Sequence, residues 1–125
     1  MALNAAALYR NTSIQTASPA DIILKLLEGA IKFENRAIVA LEKNDIAEAN
    51  TNLIKTQKII LELRSSLDHK YPVAKDFEKV YSHISDLLVV GNMKKDQELI
   101  EQALTYTREM RDTWKQVMEI TKTKR

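Results

Sequence analysis

Cysteine is absent from the 125 residues of this chain, and glycine and proline occur only twice each. Without cysteine the chain can form no disulfide bond and no thiolate metal site, and it has no thiolate nucleophile. Two glycines and two prolines also supply too few turns for a multi-stranded sheet, whose hairpins need such residues about every 8 to 12 positions. An all-β fold is therefore strongly disfavoured.

An excess of one charge and long apolar runs are lacking as well. Nineteen lysines and arginines face seventeen acidic residues, which gives a net charge of +2. This balance is unlike that of a protein whose main task is to neutralise phosphates, so we expect no nucleic-acid partner. Apolar runs such as Ile22–Leu24 and Leu87–Val90 fall far short of the roughly 18 residues that a membrane span requires. We expect no membrane span and no signal stretch, and a reducing cytosol is compatible with the composition.

The residues that are present favour a single helical domain. Hydrophobic residues make up 45% of the chain and charged residues 29%, which is enough apolar material for one core. Ser18 followed by Pro19 is typical of a helix start, with Ser18 as the N-cap. The periodicity predicts helices from Pro19 to about Lys43, from Ile46 to about Leu67, from Pro72 to Gly91 and Asn92, and onwards from an N-cap at Asp96.

The predicted helices are long and are separated by only a few residues. Such short links force neighbouring helices to run antiparallel. The predicted fold class is all-α, an antiparallel up-down four-helix bundle with an N-terminal capping segment. Residues 1–17 form that segment, which would act as a lid, residues 18–122 form the bundle, and residues 123–125 form a frayed tail.

The first two predicted helices carry more apolar surface than one core needs. Helix 1 has an apolar arc about 200° wide, and helix 2 has two separate stripes. The helix 1 core stripe is Ile23, Leu26, Ala30, Phe33, Ala37 and Leu41, and its second stripe is Leu24, Leu27, Ile31 and Ile38. The helix 2 core stripe is Leu53, Ile60, Leu63 and Leu67, and its second stripe is Ala47, Ile54 and Leu61. Each second stripe either packs against a flanking helix or lines a groove that a partner, or the N-terminal segment, covers.

Motifs that carry catalysis or bind metals are not found. A di-iron site in a bundle needs Glu-x-x-His, but Ser66 and Val80 precede His69 and His83 by three residues. Phosphorelay bundles have His-x-x-Lys-Gly, whereas His83 is followed by Ile, Ser, Asp and Leu. Both histidines are better interpreted as solvated surface residues. We therefore expect no enzymatic activity, no cofactor and no metal.

Four motifs in order then resemble one protein family. They are the run from Tyr9 to Pro19, which contains Thr16-Ala17-Ser18-Pro19; the run from Ile22 to Phe33 around Gly29-Ala30; Asn52–Lys55 with Ile59–Leu63; and Asn92 with Arg111–Gln116. Together they are similar to the FliS family of flagellar export chaperones, and the likeness covers nearly the whole chain.

The resemblance implies a cytosolic chaperone that binds the disordered C-terminal segment of flagellin, prevents its premature polymerisation and delivers it to the flagellar type III export gate. The predicted partner-binding residues are Tyr9 and Ile14 of the lid, with Leu24, Leu27, Ile31, Ile38, Ala47, Ile54 and Leu61 of the second stripes. The alternative is a helical interaction or signalling bundle, without a secreted client, whose second stripes form a homodimer interface.

Overall fold

Four helices make up the part of the chain that the structure, a computed structural model, describes: residues 19–123, with side chains for residues 19–120. They are α1 (Ala20–Glu42), α2 (Ile46–Ser65), α3 (Val73–Lys94) and α4 (Gln97–Thr123). The all-α prediction is confirmed. The predicted lid, residues 1–17, and the predicted N-cap Ser18 lie outside the described residues.

The helices are arranged as a ring in which each packs against the next and α4 returns to α1. Contacts across the ring show the antiparallel directions. Asn92 donates to Asn50 at 2.9 Å and Arg64 pairs with Glu78 at 2.7 Å, so the start of α2 lies beside the end of α3. Trp114 Nε1 donates to the carbonyl oxygen of Ala20 at 2.9 Å and ties the late part of α4 to the start of α1. The predicted four-helix bundle is therefore confirmed.

Local capping fixes two helix starts as the sequence predicts. An Asp45 carboxylate oxygen accepts a hydrogen bond from the Glu48 N–H at 3.1 Å, and an Asp96 oxygen accepts one from the Leu99 N–H at 3.3 Å. Such side chains satisfy backbone donors that the first helical turn leaves unpaired. The starts of α2 and α4 thus depend on contacts between residues within four positions of each other. Such local contacts can be predicted from the sequence.

The predicted end of α3 at Gly91 and Asn92 is wrong, because the helix continues to Lys94 and Lys95 takes the left-handed conformation with φ 51°. Gly91 instead marks a close approach of α3 and α4. A Cβ atom there would lie 3.0 Å from Cγ1 of Ile100, which is fully buried. The glycine allows the two helices to approach closely, and it does not end the helix.

The core of α1 lies between the two stripes that the sequence distinguishes. Leu27, predicted on the second stripe, is 0% exposed and belongs to the core. Leu26, Phe33 and Leu41, predicted as core, are only half-buried. The reason is that α1 sits between α2 and α4, so the centre of its wide apolar arc faces the bundle axis and both edges face neighbouring helices.

One acidic side chain lies inside this core. Glu34 of α1 is 0% exposed, and its Oε2 lies 3.0 Å from the hydroxyl of Thr107 on α4. Its Oε1 has no hydrogen-bond partner among the described residues. Burial raises the pKa of Glu34 to about 8, and the Thr107 hydrogen bond and Arg108 offset only part of this effect. Glu34 is therefore held mainly as the neutral acid at pH 7.

Within residues 19–123, none of the helices combines the length and the apolar character that crossing a membrane requires.

Candidate partner-binding groove

An exposed apolar groove runs between α2 and α3. Ile54 and Leu61 of α2 are 40% and 60% exposed, and Val89 of α3 is 43% exposed. Together with Gln57, Lys58 and Ser85 they line a depression of about 380 Å³. Large aliphatic side chains gathered in one groove are typical of a surface that another chain covers.

The groove follows from the helical periods of α2. Leu53 and Ile60 are fully buried, and the residue after each of them is rotated by about 100° around the helix axis. Ile54 and Leu61 therefore emerge at the edge that faces α3. Ala47, on the same predicted stripe, is also exposed and extends the apolar edge towards the start of α2.

Polar bridges hold the two helices on either side of the groove. Arg64 donates to Glu78 from both Nε and Nη2, at 3.1 and 2.7 Å, beyond one end of the groove. The hydrogen bond between Asn92 and Asn50 lies beyond the other end. Because both bridges link α2 to α3, they favour the same spacing of the groove walls without a partner in place.

The second stripe of α1 lies elsewhere on the bundle. Phe33 faces α2, where Lys55 lies near its ring, and Ile31 is about 160° away from Phe33 around α1. Ile31, Leu24 and Ile38 therefore follow the edge of α1 that faces α4, and all three are half-buried. Leu24 and Ile38 pack against the core. Packing against a flanking helix thus accounts for this stripe, and the α2 stripe is the one left open.

The sequence reasoning did not find the α3 wall of the groove. Val89 and Ser85 line it, whereas the sequence predicts surplus apolar surface on the first two helices alone. The available signal was the apolar run Leu87–Val90, which places side chains outside any single helical stripe. Tyr9 and Ile14, the lid residues predicted to contact a partner, lie outside the described residues.

The chemistry of the groove is that of a binding surface. Lys58 is the only ionisable residue among the six that line it. His69 and His83 are both exposed, and the His83 ring meets the Tyr106 ring edge-on with centroids 5.0 Å apart. The groove can therefore take an apolar, largely uncharged stretch of polypeptide, such as one face of an amphipathic helix.

Several known proteins are similar in sequence to this chain over most of its length. The model of the family described as "Flagellar protein FliS" matches residues 1–121. The chain is 33% identical over 111 residues to the flagellar secretion chaperone FliS of Bacillus subtilis, covering 89% of this chain and 84% of that protein. It is 28% identical over 111 residues to the protein of the same name from Campylobacter jejuni, covering 87% of each. The corresponding Vibrio cholerae protein is 26% identical over 109 residues, covering 86% of this chain and 80% of that protein.

Proposed function

Because the chain belongs to the FliS family of flagellar secretion chaperones, we propose that it binds the C-terminal segment of flagellin in the cytosol, prevents premature polymerisation and delivers this client to the flagellar export gate. The observation that carries the proposal is the open groove of Ile54, Leu61 and Val89 between α2 and α3. A disordered client suits such a groove, because it folds only when its apolar residues are buried against a binding surface.

Apolar burial is the main source of affinity in this proposal. Fully burying one aliphatic side chain contributes roughly 1.5 to 3 kcal/mol, and the groove side chains retain about half of their exposure. A client helix adds its own apolar face to this area. The gain must exceed the cost of ordering the client, about 2 to 5 kcal/mol, so several groove contacts are required together.

The half-buried edge of α1 is a second contact in the proposal. Leu24, Ile31 and Ile38 remain partly accessible beside α4. A long client that wraps around the bundle can touch this edge after leaving the α2–α3 groove. Leu27 is excluded from the proposed contacts, because it has no exposed surface.

Leu61→Asp should weaken client binding by at least about tenfold while leaving the bundle folded, since it places a charge in the apolar groove at an exposed site. The measurement is calorimetric titration of the full chain with the C-terminal segment of flagellin, with helicity recorded for each variant. Val39→Asp is the matched control, because Val39 is 46% exposed on α1 and lies outside the groove.

The size of the complex separates this function from the homodimer alternative. A one-to-one complex with the flagellin segment, weakened by Leu61→Asp and not by Val39→Asp, supports the chaperone. A homodimer that persists unchanged in the presence of the segment supports the alternative.

The salt dependence of client binding is a further test. Because Lys58 is the only charged residue among those that line the groove, the affinity for the flagellin segment should change less than about tenfold between low and physiological salt.

Deleting residues 1–15 tests the proposed lid of Tyr9 and Ile14. If the lid only competes with the client, the truncated chain binds the flagellin segment more tightly, because no lid must be displaced. It should also bind more of an apolar dye and keep its helicity, since α1 begins at Ala20. Dye binding and affinity equal to those of the full chain would instead mean that the segment does not cover the groove.

A further inference from the structure

Three cations converge on one aromatic ring at the seam between α1 and α2. The Phe33 ring centroid lies 4.7 Å from Lys32 Nζ, 5.2 Å from Lys55 Nζ and 5.8 Å from Arg36 Cζ. We call Lys32, Arg36 and Lys55 the cationic cluster. Each of its charges is nearer to the ring than the Debye length of about 8 Å at physiological ionic strength, so their fields add at this point.

No carboxylate oxygen among the described side chains lies within ion-pair distance of the cationic cluster. The ion pairs among the side chains of residues 19–120 are Arg64–Glu78 and Arg111–Asp112, and neither includes a member of the cluster. Two carboxylates, those of Asp45 and Glu48, line a depression together with Arg36 at the start of α2, and their hydrogen bonds are to groups of α2. Asp45 accepts from the Glu48 N–H, and Glu48 Oε1 accepts from the Asn52 amide.

The remaining parts of the chain also lack acidic side chains. Residues 1–18 contain neither aspartate nor glutamate, and residues 121–125 are threonine, lysine and arginine only. Residues 1–18 and 121–125 therefore cannot place a carboxylate side chain on the cationic cluster.

We propose that the cationic cluster is a docking site for an acidic segment of a second protein, distinct from the groove that takes the client. Carboxylates of that segment pair with Lys32, Arg36 and Lys55, and an aliphatic side chain covers the half-buried Phe33 ring. An Arg guanidinium beside two ammonium groups matches two or more carboxylates on one partner segment.

Two features favour an acidic polypeptide over nucleic acid. Nucleic-acid binding sites spread their cations along a backbone track and commonly make about 6 to 10 phosphate contacts, whereas this cluster gathers three cations around a single ring. The chain as a whole carries a charge of only +2, which provides little long-range attraction for a polyanion.

The docking site and the client groove share α2 but use different sides of it. Lys55 points towards α1, where it reaches Phe33, while Ile54 lines the α2–α3 groove. Neighbouring residues of a helix are about 100° apart. A client in the α2–α3 groove therefore leaves the cationic cluster accessible to an acidic partner.

The test is titration of the full chain with a short synthetic peptide of repeating Glu-Glu-Leu units, with the Gln-Gln-Leu peptide as its uncharged counterpart. The double variant Lys32→Gln/Lys55→Gln should bind the acidic peptide at least about tenfold more weakly than the unaltered chain. Lys75→Gln/Lys79→Gln is the matched control, since both lysines are exposed on α3, and it should bind normally. Amide NMR shifts caused by the acidic peptide should centre on residues 32–36 and 55.

Several results would overturn this assignment. They are no measurable binding of the acidic peptide, equal binding of the two peptides, equal losses in both double variants, or tighter and cluster-dependent binding of single-stranded DNA. A dimer of the free chain that Lys32→Gln/Lys55→Gln dissociates would assign the cluster to a second copy instead. The flagellin segment should bind all of these variants with unchanged affinity, so failure here is distinguishable from failure of the proposed chaperone function.

Discussion

Glu34→Gln should raise the free energy of unfolding by about 2 to 3 kcal/mol at neutral pH and leave it nearly unchanged at acidic pH. The pKa of Glu34 rises from 4.5 to about 8 in the folded protein because the carboxyl group is buried. Between these values the folded chain keeps a proton that the unfolded chain releases. Stability is therefore fully present below about pH 4.5 and is lost as the pH rises towards 8, and glutamine removes this loss because it does not ionise.

The geometry around Thr107 explains why glutamine fits. The Thr107 hydroxyl lies 2.9 Å from the carbonyl oxygen of Ala103 and 3.0 Å from Glu34 Oε2. Its single hydrogen cannot serve both acceptors, so a neutral Glu34 supplies the proton for the second contact. The amide group of glutamine has a similar shape and provides an N–H at the same place.

The measurement is urea unfolding of the two chains at a series of pH values across the window from 4.5 to 8. Glu62→Gln serves as the control, because Glu62 is exposed on α2, and its difference from the unaltered chain should stay small throughout. Parallel curves for Glu34→Gln and the unaltered chain at every pH would show that Glu34 does not lose its charge on folding.

Leu27→Ala should lower the free energy of unfolding by about 2 to 5 kcal/mol, whereas Leu61→Ala should change it by less than about 0.5 kcal/mol. Both substitutions remove the same atoms. Leu27 is 0% exposed and packs in the core, so its truncation leaves a cavity, while Leu61 is 60% exposed in the groove and its truncation leaves none.

The two substitutions should affect client binding in the opposite order of size. At a temperature where both variants are fully folded, Leu61→Ala should weaken binding of the flagellin segment severalfold, and Leu27→Ala should leave it unchanged. Thermal unfolding and calorimetric titration measure the two effects separately. Equal destabilisation by the two substitutions would contradict the assignment of Leu27 to the core and Leu61 to the surface.

The sequence alone determined the features that depend on neighbouring residues. Asp45 and Asp96 cap helices through contacts three positions away, so α2 and α4 begin where the pattern predicts. The four apolar periods and their short links were likewise sufficient for the all-α bundle. The second stripe of α2 was visible for the same reason, because helical period alone separates Ile54 and Leu61 from Leu53 and Ile60.

Tertiary structure decided the features that depend on which helices become neighbours. A wide apolar arc does not indicate which of its residues face the core. Only the arrangement of the four helices in a ring places Leu27 in the core and turns Leu24, Ile31 and Ile38 towards α4. Gly91 is a helix end by local rules, but its packing against Ile100 of α4 makes it a contact point. Val89 joins the groove, Thr107 meets Glu34, and Lys55 meets Phe33 only after separate helices pack. These pairs are far apart in the chain, and a periodic pattern within one helix contains no information about the side chains that another helix brings to it.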